Sequence, residues 1–286
     1  MSRGRKRFVG RAHSKFVKRD PNVIFEGPIP ENYDRYLGPA LFEPFAMDMA
    51  ARLKGEQPKN VLELACGTGI LTRRLRDSLA PAVRLVATDL NPGMLAFARR
   101  KFSANENLEW QEADAGALPF DDGSFDAVVC QFGLMFVPDK KSAMRECYRI
   151  LGPGGVLLFN VWDSIDRNPF GQIAHRTIAS FFEHDPPNFY ELPFGFYDAD
   201  LIRGLLQRAG FKAIEASLVT LPCRSPSAAE FAIGLVRGNP VATAIQERGV
   251  EIDDVTRAVT REIAQRWGAA PVESTMQAFV WRAVHE

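Results

Sequence analysis

The sequence predicts an α/β fold, a doubly wound and mostly parallel sheet with helices on both faces, and three observations predict it. Between residues 60 and 162, short apolar runs alternate with amphipathic stretches at the period of βαβ units. The first apolar run enters a glycine-containing turn that opens a helix, the arrangement that leaves free N–H groups at a helix start. The second ends on a carboxylate, Asp89, twenty positions after Gly69.

Each element follows from the local pattern. Residues 61–65, 84–88, 108–111, 125–130 and 156–162 read as strands. Between them, Leu71, Leu75 and Leu79 recur at helical spacing, and Asn91-Pro92 is a cap followed by a first-turn proline. Asp139 opens a stretch with Ala143, Met144, Cys147 and Leu151 on one face, closed by Gly152-Pro153. After Trp162 the regularity loosens. Residues 181–197 hold seven aromatic residues and four prolines or glycines, which predicts a lid or crossing loop. Asp198 then caps a helix carrying Leu201, Leu205 and Ala209 and ended by Gly210, and 211–221 reads as a strand. Ser227-Ala-Ala-Glu230 is a capping-box pattern. Val255, Val259, Ile263 and Trp267 share a helix face, and 276–284 completes the strands.

At 286 residues, 46% hydrophobic and 24% charged, the chain has an ordinary globular composition. No run approaches the roughly 18 apolar residues of a membrane span, and the N-terminus lacks the apolar block of a secretory signal. These features predict a cytoplasmic protein. Cys66, Cys130, Cys147 and Cys223 show no CxxC pairing, so reduced thiols and no metal site are expected. The 35 basic and 35 acidic residues balance, but Arg3, Arg5, Lys6, Arg7, Arg11, Lys15, Lys18 and Arg19 all precede Asp20. Residues 1–20 therefore read as a basic, disordered arm before one domain, 21–286; an acid-poor start of this kind also suits nucleic-acid contact or targeting.

The glycine turn suits an anionic or zwitterionic ligand group, and Asp89 stands where a doubly wound fold grips a ribose diol. Both cues fit a nicotinamide dinucleotide as well. Thr72, however, occupies the position of the third glycine in G-x-G-x-x-G.

Beyond these cues, Val61-Leu-Glu-Leu-Ala-Cys-Gly-Thr-Gly69 resembles motif I of the class I S-adenosylmethionine-dependent methyltransferases, with Ala65 in place of that motif's first glycine. Ala87-Thr-Asp-Leu-Asn-Pro-Gly-Met-Leu95 resembles the second motif, and Glu112-Ala-Asp-Ala115 with Leu118-Pro-Phe120 the third. Residues 122–137 resemble the fourth strand and its loop, and Arg149-Ile-Leu-Gly-Pro-Gly-Gly155 the turn into the fifth. The resemblance is greatest to the quinone-biosynthesis-type small-molecule methyltransferases and covers residues 33–162. It implies a Rossmann-like sheet of seven strands with the last antiparallel, a cap at about 163–270, a final strand at about 274–284, and S-adenosyl-L-methionine as cofactor.

By the same resemblance, Gly67 and Gly69 lie under the methionine part of the cofactor, with Glu63 near its amino end. Asp89 takes the ribose hydroxyls, Leu90 and Met94 flank the adenine, Asp114 accepts from the exocyclic amine, and Ala115 offers its backbone N–H. Gln131 faces the sulfonium, and Tyr36, in Tyr33-Asp-Arg-Tyr-Leu37, folds over the cofactor. An in-line displacement needs alignment and desolvation more than a base. His175, Glu183 and His184 are the candidate bases near the lid, and none sits in a motif, so no catalytic residue is assigned. Asp185-Pro-Pro-Asn188 is similar to the D-P-P-Y motif of amino-directed nucleic-acid methyltransferases but lies far from strand four, where Cys130-Gln-Phe-Gly133 stands instead.

The expected function is methyl transfer to a small, aromatic or apolar molecule. The alternatives are a nucleic-acid methyltransferase using the basic arm, a non-catalytic S-adenosylmethionine-binding protein, and a dinucleotide oxidoreductase.

Overall fold

The computed structural model describes residues 20–286. The basic run from Arg3 to Arg19 lies outside the described residues. The seven strands are β1 (Asn60–Leu64), β2 (Arg84–Asp89), β3 (Leu108–Glu112), β4 (Phe125–Gln131), β5 (Leu151–Trp162), β6 (Lys212–Ser225) and β7 (Val272–Val284). They form one sheet in the order β3-β2-β1-β4-β5-β7-β6. The first five are parallel, and β7 inserts antiparallel between β5 and β6. The inner strands β1, β2, β4 and β5 are apolar because parallel strands covered by crossover helices meet little solvent on either face: Val61, Leu62, Leu85, Val128 and Leu157 are fully buried, whereas the edge strand β3 is partly exposed.

The helices are α1 (Ile29–Asn32), α2 (Glu43–Gly55), α3 (Ile70–Ser78), α4 (Pro92–Arg99), α5 (Lys140–Ile150), α6 (Pro169–Ala179), α7 (Ala199–Ala209), α8 (Ala228–Arg237), α9 (Val241–Glu247) and α10 (Ile252–Trp267). A π-helical stretch, Tyr33–Phe42, joins α1 to α2. Three of the caps read from sequence are made, whereas Asn91 begins α4 without a side-chain cap, its Nδ2 directed to Asp89. The Asp139 carboxylate accepts from Ser142 N–H at 3.0 Å, Asp198 from Asp200 and Leu201, and the Ser227 hydroxyl from Glu230 at 3.1 Å. Gly210 ends α7 in the left-handed region at φ 113°.

The loosened region after Trp162 contains a helix that the sequence reading passed over. In α6, Pro169 occupies the first turn and Phe170, Ala174 and Ile178 are buried at successive i, i+4 positions against α8 and α10. The aromatic segment that follows is irregular, as expected, with a single 3₁₀ turn at Phe189–Glu191. Its Phe189, Tyr190, Phe194 and Phe196 are buried.

The order of the sheet positions the site. The chain winds β1-β2-β3 in one direction, returns to β4 beside β1, and continues the other way, so the loops after β1 and β4 diverge and leave a crevice at their carboxyl ends. Among the described residues no helix is long and apolar enough to cross a membrane.

Candidate functional site

The loop after β1 is built from left-handed backbone: Ala65 at φ 50°, Gly67 at 56° and Gly69 at 80°. The two glycines serve different ends. A Cβ at Gly67 would meet no atom within 4 Å, so this residue forms bare backbone at the edge of a cavity. A Cβ at Gly69 would stand 3.1 Å from Ala98 Cβ and 3.2 Å from the Phe102 ring, so Gly69 lets α3 start close against α4 and does not line the cavity. No side chain caps α3, which leaves its first N–H groups for a ligand.

Asp89 closes the loop from the next strand. Its carboxylate accepts from Gly67 N–H at 2.8 Å and Asn91 N–H at 2.7 Å, one on each oxygen. Burial raises its pKa, and these donors pull it back. Asn91 Nδ2 adds a long contact of 3.4 Å to Oδ1, and the carboxylate borders the cavity at 6% exposure.

The cavity encloses about 1150 Å³. One half is bordered by Gly67, Asp89, Leu90, Met94, Asp114 and Ala115. Asp114 Oδ1 also accepts from Gly116 N–H at 2.8 Å, which fixes its loop. Gln131 stands at the junction; its Nε2 donates to the Phe42 carbonyl at 3.2 Å, and its Oε1 is buried without a partner. Glu63 lies in a small annex of about 30 Å³ that it shares with Gly67 and Gln131. At 1% exposure its Oε2 has no partner, and burial raises its pKa to about 8, with Thr72 opposing and the Asp89 charge adding to the rise.

Of the two tyrosines in residues 33–37, Tyr33 borders the cavity and Tyr36 does not. Tyr33 borders both cavity and annex, stacks on Phe42 at 4.5 Å, and has its hydroxyl pKa raised by burial and by Asp89 and Asp34. Tyr36 packs against Gly234 of α8 beside Arg35. The wide π turn puts residues three apart on different sides of the helix, so the spacing of the two tyrosines was no guide.

The other half of the cavity is aromatic. Phe132 and Trp162 stack at 3.9 Å, and Trp162 lies near Phe170 and Phe194. Phe136 stacks on Phe189, and Tyr190 on Phe194. Phe132 occupies the left-handed region at φ 52°, held there by its N–H donating to Asn160 Oδ1 at 2.9 Å. Lys140 ties the walls together: its ammonium donates to the Met135 and Val137 carbonyls at 3.2 and 3.1 Å and lies over the Phe196 ring. Sequence reasoning marked the loop 132–137 and the aromatic segment but missed Phe25, Phe42, Trp162, Phe170 and Asn239. Trp162 at the carboxyl end of β5 was the available signal for one of these.

Among the described residues lining the cavity there is no lysine, arginine or histidine. The charged ones are Asp20, Glu26, Asp89 and Asp114. His175, Glu183 and His184 are absent from the wall, as are Asp185 to Asn188, where Asp185 pairs with Arg248 at 3.2 Å. A dinucleotide would bring a pyrophosphate into a cavity that supplies only carboxylates, whereas a nucleoside carrying a sulfonium and an ammonium meets charges of the right sign. The unpartnered Glu63 and Gln131 oxygens, together with the open backbone of Gly67, fit that second ligand.

A methyltransferase-domain family model matches residues 62–159. The demethylmenaquinone methyltransferase of Thermus thermophilus is 42% identical over 129 residues, 45% of this chain and 57% of that protein, so the chain spans little more than half of that relative. The ubiquinone/menaquinone biosynthesis C-methyltransferase UbiE of Escherichia coli is 31% identical over 188 residues, 61% of this chain and 74% of that one. The solved structure of Haemonchus contortus phosphoethanolamine N-methyltransferase 2 in complex with S-adenosyl-L-methionine shares the fold, with a TM-score of 0.54 at 18% identity over 89% of this chain and 56% of that one. With this sheet order and this glycine loop, the chain belongs to the class I S-adenosylmethionine-dependent methyltransferases, the family of the quinone-biosynthesis C-methyltransferases, and S-adenosylmethionine is its cofactor.

Proposed function

We propose that the protein transfers a methyl group to a small, uncharged aromatic or apolar molecule held in the aromatic half of the cavity. One observation carries the reading: that half opens directly onto the cofactor half and is walled by Phe132, Trp162, Phe170, Phe189, Tyr190 and Phe194, with no cationic side chain among the described lining residues. The relatives support it, since they are methyltransferases of demethylmenaquinone and of ubiquinone and menaquinone biosynthesis.

When bound, S-adenosylmethionine supplies an electrophilic methyl carbon. The residues assigned to it are Asp89 for the ribose hydroxyls, Leu90 and Met94 for the adenine faces, and Asp114 with the Ala115 N–H for the adenine edge. Gly67 lies under the methionine part, Glu63 receives its ammonium, and Gln131 Oε1 faces the sulfonium. Gly69 acts through the turn, and Tyr33 covers the site in place of Tyr36. Phe132 and Trp162 align the acceptor ring and exclude water, so the chain contributes orientation and desolvation. No general base is assigned, because none of His175, Glu183 and His184 borders the cavity.

The test is release of S-adenosylhomocysteine with 1,4-dihydroxynaphthalene and with its 2-carboxylate. Turnover is expected with the neutral compound and at most weakly with the acid, which meets Asp89 and Asp114 without a counter-ion. Equal or faster turnover of the acid would overturn the reading.

A further inference from the structure

Asn239, in the turn between α8 and α9, borders the aromatic half of the cavity at 7% exposure. Its Nδ2 donates to the Leu235 carbonyl at 3.1 Å, which fixes the orientation of the amide. The Tyr190 hydroxyl donates its one proton to the same carbonyl at 2.7 Å. Burial raises the Tyr190 pKa, with Asn239 opposing, so this hydroxyl stays protonated. Leu235 is in the last turn of α8, where a carbonyl has no partner within the helix, and the two side chains satisfy it.

This arrangement leaves a surface of one hydrogen-bonding sense. The second Nδ2 proton is turned toward the Tyr190 oxygen, the contact through which Asn239 opposes the rise of the Tyr190 pKa, so the group left open to a ligand is Asn239 Oδ1, an acceptor. The walls around them are Phe170, Phe189, Pro193 and Phe194, which offer no polar side chain. A ligand carbonyl, ether or carboxylate oxygen brought here would face another acceptor in an apolar enclosure. A ligand hydroxyl or N–H would find a partner.

We propose that Asn239, supported by Tyr190, is a specificity-determining residue that takes a hydrogen-bond donor, a neutral hydroxyl or N–H, on the ring system of the methyl acceptor. The proposal rests on the aromatic half being the acceptor site. Asn239 touches the acceptor away from the cofactor half, so its effect falls on acceptor binding and not on cofactor binding.

The experiment is calorimetric titration of the full chain, saturated with S-adenosylhomocysteine, with 1-naphthol and with 1-methoxynaphthalene, a ring of similar size whose oxygen cannot donate. The wild type should bind 1-naphthol about tenfold more tightly, the worth of one buried hydrogen bond. In Asn239→Leu that preference should vanish through weaker 1-naphthol binding, while S-adenosylhomocysteine affinity stays as in the wild type. Equal affinity of the two rings for the wild type overturns the proposal without recourse to a variant, and so does a preference that survives in Asn239→Leu. If neither ring binds while S-adenosylhomocysteine does, the acceptor reading fails and this inference with it. Binding of both rings without preference leaves the acceptor reading standing and removes the role of Asn239.

Discussion

Cofactor binding should release a proton from Glu63. Its carboxyl is buried in the annex beneath the glycine loop with one oxygen unpartnered, and its pKa is raised to about 8. A group with that value is roughly 90% protonated at pH 7, so the ligand-free protein carries a neutral acid there. An ammonium arriving beside it favours the carboxylate and returns it toward the ordinary range, with release of about 0.9 proton per cofactor bound at pH 7. Affinity for the ammonium form should then rise about tenfold per pH unit from pH 6 until it levels near 8, above which the cofactor's own amine begins to lose its proton. Calorimetry at pH 7 in buffers of different ionisation enthalpy reads the proton count directly. Glu63→Gln should bind with nearly no proton exchange and without the pH slope. A wild-type enthalpy independent of buffer, or the same release from Glu63→Gln, refutes the argument. The same shift bears on folding. A carboxyl whose folded pKa exceeds the ordinary 4.5 contributes stability that is complete below pH 4.5 and is lost as pH rises toward 8. Cofactor-free protein should therefore melt at lower temperature at pH 8 than at pH 5, and saturating cofactor should narrow the difference.

Asp89→Asn keeps the fold but replaces one charged acceptor, and cofactor affinity by calorimetry should fall about 10- to 100-fold, the worth of a charge-assisted hydrogen bond. Gly67→Ala should fold, at a cost of about 1 kcal/mol for the left-handed residue, and lose cofactor affinity by tenfold or more because its Cβ projects where the ligand lies. Gly69→Ala should do the opposite, losing about 2–4 kcal/mol of stability in denaturant melts as its Cβ meets Ala98 and Phe102. Tyr33→Ala should weaken cofactor binding severalfold in the same titration, whereas Tyr36→Ala should leave the cofactor constant within error.

The contrast between Gly67 and Gly69 shows what sequence can and cannot separate. Strand, turn and helix were legible from 61 to 75 because the apolar period changes there and glycine breaks it. Which glycine meets ligand and which meets a neighbouring helix depends on where α4 packs, and α4 is twenty residues away. The caps at Asp139, Asp198 and Ser227 were legible because a cap is a local event within three residues. That Tyr33 and not Tyr36 borders the cavity was not legible, because nothing local announces a π-helical turn. Asn239 was invisible for the same kind of reason. Its role depends on Tyr190, forty-nine positions earlier, reaching the same carbonyl. The helix at 169–179 was the avoidable miss, since Asn168-Pro169 followed by Phe170, Ala174 and Ile178 is a start signal with a one-face stripe.

The two halves of the cavity share one electrostatic character, and that character constrains both reactants. Among the described lining residues the charged ones are Asp20, Glu26, Asp89 and Asp114, so a donor entering as a cation would lose that attraction once its sulfonium becomes a thioether. The same carboxylates repel an anionic acceptor, and Asn239 Oδ1 repels it again at the far end. On the proposed reading the acceptor is a neutral molecule with an apolar body and a hydrogen-bond donor, held between aromatic faces that Lys140 and Asn160 keep in place from behind. Phe132 is held in the left-handed region and stacked on Trp162, and under the proposed function that pair would set the plane of the acceptor ring relative to Gln131, so that alignment of nucleophile and methyl carbon is the protein's contribution.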